Sequence, residues 1–292
     1  MSDDAVARFE KSFGAHQRRV TLQAIFGWLL FLACFVGALL ISNVTLERLI
    51  AGWGKLGDYV HLMLPDLARA HLFDDVHTKG SIAYWYYGFP KWAAEIWQSV
   101  EMALLATAFG FIGAFLWSFP AARNLGVPRV LTWLVRRLLE LCRTVPELVS
   151  ALIFVFAFGI GPIAGVLAIA MHTTGSLGKL FSEVHENIDV GPVEGVKAAG
   201  ASWVKLMRFG IVPQVLPNLL SYTLLRFEVN VAASTVIGVV GAGGIGQDLR
   251  KWIDFNTPQD SFAMILMIIA VIFVIDLTSE RVRTLFQRGR MI

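Results

Sequence analysis

The sequence predicts an all-α membrane protein with about six transmembrane helices. Its 292 residues are 56% hydrophobic and only 16% charged, and the mean hydropathy is +0.62. A soluble globular domain carries about 25% charged residues, so this much apolar side chain cannot be hidden in one water-soluble core. Apolar runs long enough to span a membrane as helices alternate with polar segments, and Lys and Arg are concentrated in some of those segments. This arrangement is typical of a helical protein that crosses the membrane several times.

The first 92 residues contain one predicted span between a polar tail and a long loop. In the tail, 1–21, three apolar residues recur at helical spacing. Either a helix along the membrane surface or a partly ordered tail explains them. The apolar run 22–42 is the first predicted transmembrane helix, since it can cross about 30 Å of hydrocarbon at about 1.5 Å per residue. Residues 43–92 form a predicted extracytoplasmic loop that ends in aromatic residues typical of a membrane interface.

Residues 93–280 form the predicted transmembrane domain. The apolar pattern from 138 to 180 is too long for one helix, and Gly159-Ile160-Gly161-Pro162 interrupts it. Because proline cannot continue a helix without losing a hydrogen bond but suits the start of the next one, we predict a helical hairpin here. The longest polar stretch of the second half, 182–212, is a predicted loop between two spans. The five predicted spans of this domain are 93–119, 138–160, 162–181, 213–240 and 261–279.

The distribution of basic residues predicts the orientation in the membrane. Six spans place both termini on one side, and Lys and Arg are concentrated in the N-terminal tail, the connection 121–137 and the C-terminal tail 281–292. Since cytoplasmic segments are enriched in Lys and Arg, these three segments and the loop 182–212 are predicted to face the cytoplasm. The loop 43–92 and a glycine-rich segment after the fifth span are then predicted to face outward.

The glycine-rich segment, VVGAGGIGQDL, imitates a dinucleotide-binding fingerprint. Gly241, Gly243 and Gly246 fall on the pattern G-x-G-x-x-G, which requires a preceding strand and a surrounding βαβ unit. An apolar span precedes this segment and another follows it closely, so no βαβ unit fits. We therefore predict that these glycines, with Gly244, permit tight turns and close helix contact and form an outer gate or re-entrant turn.

Enzymatic motifs are missing from the sequence. No stretch fits the P-loop pattern, so the chain has no visible way to hold ATP phosphates, and no G-x-S-x-G elbow is present. His185-Glu186 begins like a zinc-protease motif, but Asp189 stands where the second His is needed. Cys34 and Cys142 lack the spacing of a metal site, and a net charge of +3 is too small to indicate nucleic-acid binding. We predict no catalytic residue, no metal site and no cofactor in this chain.

Polar residues at membrane depth are the candidate pathway residues. An ionised side chain at the bilayer centre costs about 2.5–3.5 kcal/mol on insertion scales, so such groups usually pair or line a water-filled path. Glu140, Arg143 and Glu147 have a spacing that suits one helix face, which favours structural pairing. For the other group, roles in a pathway and in packing both stay open. The predicted substrate-pathway residues are His172, Thr173, Thr174, Arg226, Glu228 and Asn230.

The segment 191–217 carries the most specific sequence signal. It suits two short helices between spans, and it resembles the coupling loop of ABC importer permeases, E-A-A-x3-G-x9-I-x-L-P. Glu194, Gly200 and Pro213 match that pattern, whereas its other defined positions hold Gly195, Val196, Gly210 and Val212. The strings HTTGSLGKLFSEVHENIDVGPVEGVKAAGA, VPQVLPNLLSYTLLRFEVNV and VIGVVGAGGIGQDL more closely resemble the permease subunit of bacterial phosphonate ABC importers. This resemblance covers about residues 93–285.

The resemblance implies a type I ABC importer permease with a cytoplasmic coupling helix, in the inner membrane of a bacterium. It implies a homodimer of permeases, two ATP-binding subunits that hold ATP and Mg on the cytoplasmic face, and an extracytoplasmic phosphonate-binding protein. The residues that would contact the ATPase are Glu194, Gly195, Val196, Lys197, Ala198, Ala199 and Gly200. Two alternatives stay open: a permease for phosphite or another small solute, and an ion-coupled transporter, whose expected internal repeat is not visible.

Overall fold

The computed structural model describes residues 3–42, 45–255 and 257–288, which form helices joined by turns. The final residues of the predicted C-terminal tail, 289–292, lie outside the described residues. The chain divides into two compact units, Met1–Leu62 and Met63–Ile292. The second half of the segment 43–92 therefore belongs to the same unit as the helix bundle.

Helices make up most of both units. In the first unit, α1 (Asp3–Ile41) is followed by α2 (Leu46–Met63), which ends at the boundary. In the second unit, α8 and α9 are short, and a π-helical turn leads directly into α10. The helices of the second unit are α3 (Ile82–Trp85), α4 (Phe89–Ala121), α5 (Arg129–Thr144), α6 (Glu147–Phe158), α7 (Pro162–Glu186), α8 (Val190–Ala198), α9 (Trp203–Leu206), the π-turn (Met207–Ile211), α10 (Val212–Gly238), α11 (Ile245–Asp254) and α12 (Pro258–Arg288).

Length and composition identify three or four spans among the described residues. The stretches His16–Ile41, Phe89–Ala121 and Pro258–Leu285 are each long and apolar enough to cross a membrane, and α5 with α6 would be a fourth if this bent pair is one span. The helices α7 and α10 have 25 and 27 residues, so they are about 37 Å and about 40 Å long. Their length suffices for a membrane crossing, although they carry more polar side chains.

The predicted span 138–160 is not one continuous helix, because the chain bends sharply inside it. Helix α5 ends at Thr144, α6 begins at Glu147, and the two helix axes differ in direction by 88°. Pro146 accounts for the break, since it lacks an N–H and disfavours helical geometry at Val145. Val145 is accordingly extended, with φ −70° and ψ 121°.

This bend also overturns the predicted grouping of three charged residues on one helix face. Glu140 and Arg143 lie on α5, but Glu147 is the first residue of α6. Glu140 accepts a hydrogen bond from Arg137 at 2.5 Å, whereas Glu147 points to a different helix. Only the pairing of Glu140 within α5 is therefore local.

Three segments are more helical than predicted. The N-terminal tail continues into the first span as one helix, α1, from Asp3 to Ile41. The segment 43–92 contains the 18-residue helix α2, and the polar link before the last span contains α11. Both of these helices are amphipathic, with apolar and polar residues recurring at helical spacing. In a single sequence, short amphipathic segments of this kind are difficult to distinguish from surface loops.

Small residues let α4 and α7 pack closely at the centre of the bundle. A Cβ atom added at Gly110 of α4 would lie 2.4 Å from Thr173 Cγ2 of α7, and one added at Gly113 would lie 2.8 Å from Thr174 Oγ1. On another face of α7, a Cβ atom at Gly175 would lie 2.6 Å from the backbone nitrogen of Arg143. In lipid, the hydrophobic effect does not drive helices together, because the lipid tails are as apolar as the side chains. Close backbone approach of this kind is therefore a main source of stability between helices.

The glycine-rich segment is a tight turn between α10 and α11. Gly241, Gly243 and Gly244 adopt φ values of 92°, 92° and 74°, which favour glycine because it has no Cβ. Gly246 has a different role, because its backbone packs against that of Gly238 where the two helices cross. The residues before the turn form α10 rather than a strand, so the context of a dinucleotide fingerprint is missing here.

Replacing Gly246 by Ala is expected to destabilise the protein strongly. The added Cβ atom would lie 2.0 Å from the carbonyl oxygen of Thr235, and backbone atoms must shift to accept it. We expect a loss of about 3 kcal/mol, which corresponds to a drop of roughly 6–12 °C in Tm of the detergent-purified protein. Gly57→Ala is the control, because a Cβ atom there meets nothing within 4 Å. Equal Tm values for the two variants would contradict this account of the turn.

Candidate functional site

A polar cluster lies near the midpoints of α4, α7 and α10, beside the start of α6. Arg226 Nη2 donates a hydrogen bond to Glu147 Oε1 at 2.5 Å, and His172 Nε2 lies 3.7 Å from the same oxygen. Their side chains are only 16% (Arg226), 17% (Glu147) and 19% (His172) exposed. Charged groups this deep in an apolar bundle are costly unless they are paired. The central polar cluster consists of Thr107, Glu147, His172, Thr173, Arg226 and Asn230.

Fully buried side chains form the inner side of this cluster. Asn230 Nδ2 donates to Thr107 Oγ1 at 2.8 Å and lies 3.0 Å from Thr173 Oγ1. The Nε atom of Arg226 is 3.4 Å from the same Thr173 hydroxyl. Arg226 and Asn230 are four residues apart and therefore share one face of α10. Three helices are thus connected through hydrogen bonds, as buried polar groups require.

The proline break in the chain places Glu147 in the cluster. Pro146 ends the preceding helical segment, and Glu147 opens α6 as its first residue. A carboxylate is favourable at this position, because the amide groups of a helix N-terminus carry partial positive charge. The 88° bend between α5 and α6 brings this end of α6 toward α10, so that Glu147 meets Arg226, 79 residues away in sequence.

Four of the six predicted pathway residues belong to the central polar cluster, namely His172, Thr173, Arg226 and Asn230. The other two contact different surfaces. Thr174 Oγ1 donates to the carbonyl oxygen of Ala170 at 2.8 Å and packs against α4. Glu228 faces α12 beside Asp276 and Ser279, and among the described residues its Oε1 is buried without a hydrogen-bond partner.

Two members of the cluster, Thr107 and Glu147, are not among the predicted pathway residues. Thr107 carries no signal of its own, since a threonine in an apolar helix usually bonds to its own backbone, as Thr107 Oγ1 does to Ala103 O at 2.6 Å. Glu147 did carry one, because an acidic residue directly after a proline marks a helix start. That reading would have separated Glu147 from Glu140 and Arg143.

The helix α8 presents an exposed surface at one end of the bundle. Its backbone lies against the π-turn at Gly210. A Cβ atom added at Gly210 would lie 3.5 Å from Val193 Cα, which is van der Waals contact. Val193 and Val196 are half-buried on this side of α8. Six of the seven predicted coupling residues are exposed: Glu194, Gly195, Lys197, Ala198, Ala199 and Gly200. Val196 is the exception, because it faces the bundle.

Hydrogen bonds hold this surface in a fixed position on the bundle. Asp189 caps α8 by accepting from Gly191 N at 3.0 Å, and Gln214 Oε1 of α10 accepts from Asp189 N at 3.1 Å. Trp203 Nε1 of α9 donates to Leu125 O, after α4, at 2.9 Å. The start of α8 is thus bonded to α10, and the start of α9 to the segment that follows α4.

The opposite end of the bundle is held together around the glycine turn. Gly161 N donates to Gly241 O at 3.0 Å, which joins the α6–α7 turn to the α10–α11 turn. Ser99 Oγ of α4 accepts from Ile245 N at 3.0 Å. Asp248 of α11 pairs with Lys91 of α4 and, at 2.8 Å, with Lys251.

The charge of Asp248 is maintained although its side chain is only 4% exposed. Burial of the carboxyl opposes ionisation, but hydrogen bonds from Lys251 and Lys91 outweigh burial and lower the pKa of Asp248 to about 2. The link between α11 and α4 is therefore ionic at every pH near neutrality.

The helix bundle thus has a paired polar centre and, at one end, the exposed helix α8 in a fixed position. Residues 106–290 match the family model described as the binding-protein-dependent transport system inner membrane component. The chain belongs to this family and is a permease subunit rather than an enzyme.

Curated relatives agree with this family, and a solved structure shares the fold. The phosphite transport system permease protein PtxC of Stutzerimonas stutzeri is 36% identical over 200 residues, which cover 68% of this chain and 73% of the relative. Escherichia coli strain K12 has a relative, PhnE2, whose name assigns it to a cryptic phosphonate transport system. It is 46% identical over 121 residues, which cover 41% of this chain and 99% of the relative. The structure of the MetNI methionine ABC transporter in inward-facing conformations shares the fold, with a TM-score of 0.59, 18% identity and coverage of 66% of this chain and 95% of that chain.

Proposed function

We propose that this chain is the permease subunit of an ATP-driven importer that carries phosphonate across the bacterial cytoplasmic membrane. The observation that carries the proposal is the cation in the central polar cluster. The guanidinium of Arg226 and the hydroxyl of Thr173 are hydrogen-bond donors near the midpoints of α10 and α7. A guanidinium binds two oxygens of a phosphorus oxyanion in a fork geometry, which makes it suited to this cargo.

The names of the relatives support the same class of cargo. PtxC is named for phosphite and PhnE2 for phosphonate. Both anions present oxygens on phosphorus, so one cluster of donors serves either of them. Phosphonate has an additional carbon substituent, and its import over phosphite depends on the receptor that delivers the solute as well as on the permease.

The proposed partners follow from the two ends of the bundle. Two copies of the chain form a homodimer around the pathway, and two ATP-binding subunits dock on the exposed face of α8 from the cytoplasm. ATP and Mg are bound by those subunits. A phosphonate-binding protein delivers the cargo at the other end, where the turn from Gly241 to Gly246 forms the outer gate. The excess of Lys and Arg in the two tails supports an orientation with both termini in the cytoplasm.

Reconstitution tests this proposal. The permease is incorporated into proteoliposomes with its candidate ATPase inside and its candidate receptor outside, and uptake of labelled 2-aminoethylphosphonate is measured with and without ATP. We expect uptake only when ATP, ATPase and receptor are all present, with unlabelled phosphite as a weaker competitor. Uptake driven by an ion gradient without the ATPase would identify a secondary transporter instead. A preference for phosphite over phosphonate would assign the cargo to phosphite.

A further inference from the structure

The cation of the central polar cluster already has an oxyanion as its partner, namely the carboxylate of Glu147. Arg226 Nη2 donates to Glu147 Oε1 at 2.5 Å, and His172 Nε2 lies 3.7 Å from the same atom. The carboxylate has the charge sign and the oxygen spacing of one edge of a phosphonate group. Glu147 therefore occupies the place that an anionic cargo would need in order to reach Arg226.

We propose that Glu147 is the resident counter-anion of the transport site and that the cargo displaces it from Arg226. This inference rests on the proposed function. An arginine that is 16% exposed inside the bundle needs a partner when no cargo is present, because an unpaired charge there is strongly destabilising. A partner that remained bound would block the site. An exchangeable carboxylate satisfies both conditions.

The position of Glu147 favours exchange over a permanent ion pair. It lies at the hinge between α5 and α6, directly after Pro146, and a change in the 88° bend would move its side chain relative to α10. The released carboxylate would remain beside the imidazole of His172, whose Nε2 atom lies 3.7 Å from Glu147 Oε1. Arg226, by contrast, is fixed on α10, where its Nε atom also contacts Thr173.

Exchange has a kinetic consequence that a purely structural ion pair does not have. Cargo must compete with Glu147 for Arg226, so the carboxylate weakens cargo binding and assists cargo release. Replacing Glu147 by Gln removes the competing charge but preserves the size of the side chain. The apparent KM for phosphonate is expected to fall about tenfold, which corresponds to about 1.4 kcal/mol, and the maximal uptake rate is expected to fall because release becomes slower.

The test measures KM and maximal rate of ATP-driven phosphonate uptake in proteoliposomes for wild type, Glu147→Gln and Glu140→Gln. Glu140 is the matched control, because it pairs with the exposed Arg137 on α5 and lies outside the cluster. A lower KM for Glu147→Gln alone supports exchange. An unchanged or raised KM overturns it. If Glu147→Gln does not assemble, Glu147→Asp retains the charge on a shorter side chain. The KM of this variant is expected to fall about threefold, and an unchanged KM again overturns exchange.

Failure of this inference can be distinguished from failure of the proposed function. If wild-type proteoliposomes take up no phosphonate, the proposed function is wrong and exchange with phosphonate is wrong with it. If wild type transports phosphonate but the KM of neither Glu147 variant falls, the function stands and Glu147 is only a structural partner of Arg226.

Discussion

Replacing Glu194 by Arg is expected to reduce ATP-driven uptake to background. Glu194 lies on the exposed side of α8, while Val193 and Val196 hold the opposite side against the bundle. The reversed charge would therefore leave the fold intact. It would replace the proposed attraction between Glu194 and the docked ATPase subunit by repulsion. Charged groups that become fully desolvated in an interface contribute about 2 kcal/mol or more, so the affinity for the ATPase should fall at least about 30-fold.

Co-purification of the ATPase with the permease measures this effect directly. The control is Glu183→Arg, because Glu183 is exposed near the end of α7, outside the residues 194–200, and pairs with Lys179 one turn away. The Glu183→Arg permease should still co-purify with the ATPase and should show normal uptake. Stoichiometric ATPase on the Glu194→Arg permease would show that α8 is not the docking surface.

Local patterns predicted the parts of the fold that depend on neighbouring residues. The turn at Gly159-Ile160-Gly161-Pro162 separates α6 from α7 as predicted, because proline and glycine restrict or free the backbone regardless of what surrounds them. The short helix before Gly200 is also confirmed, since Asp189 caps its start and Gly200, with φ 75°, follows its end.

Long-range pairing explains what the sequence could not predict. Helical spacing groups Glu147 with Glu140 and Arg143, and although Pro146 marks a helix start between them, no local signal names a partner on a distant helix. The actual partner of Glu147 is 79 residues away and is reached only through the bend at Pro146. Helical spacing already points the adjacent Thr173 and Thr174 in different directions, but only tertiary packing identifies the neighbouring helix that each hydroxyl reaches, which is α10 for Thr173 and α4 for Thr174.

The helix α10 joins the three regions to which we assign roles. It follows the π-turn beneath α8 without interruption, carries Arg226 and Asn230 at its middle, and ends at Gly238 in contact with Gly246. Because α10 is continuous between these regions, we expect movement of α8 by an ATPase to change both the cluster and the glycine turn. Two packed arrangements of such an element provide a physical basis for alternating access.

Arg226→Gln is expected to lower the phosphonate uptake rate at least about tenfold, while the ATPase still binds and hydrolyses ATP. The guanidinium is the cation that we propose attracts the cargo, and a charge-assisted hydrogen bond contributes about 1.5–3 kcal/mol. Glutamine retains hydrogen-bonding capacity but not charge. The measurement is uptake in proteoliposomes together with the ATPase rate of the same preparation.

Loss of the cation also leaves Glu147 as an uncompensated, half-buried charge, which could reduce the yield of the assembled permease. The double variant Glu147→Gln with Arg226→Gln separates the two effects, because it removes both charges. It should assemble like wild type and still fail to transport, since its cluster no longer contains a cation that binds the anion. Arg137→Gln, on the exposed side of α5, is the charge-matched control and should transport normally. Normal uptake by the double variant would remove Arg226 from the pathway and reduce the Glu147–Arg226 pair to a structural link between α6 and α10.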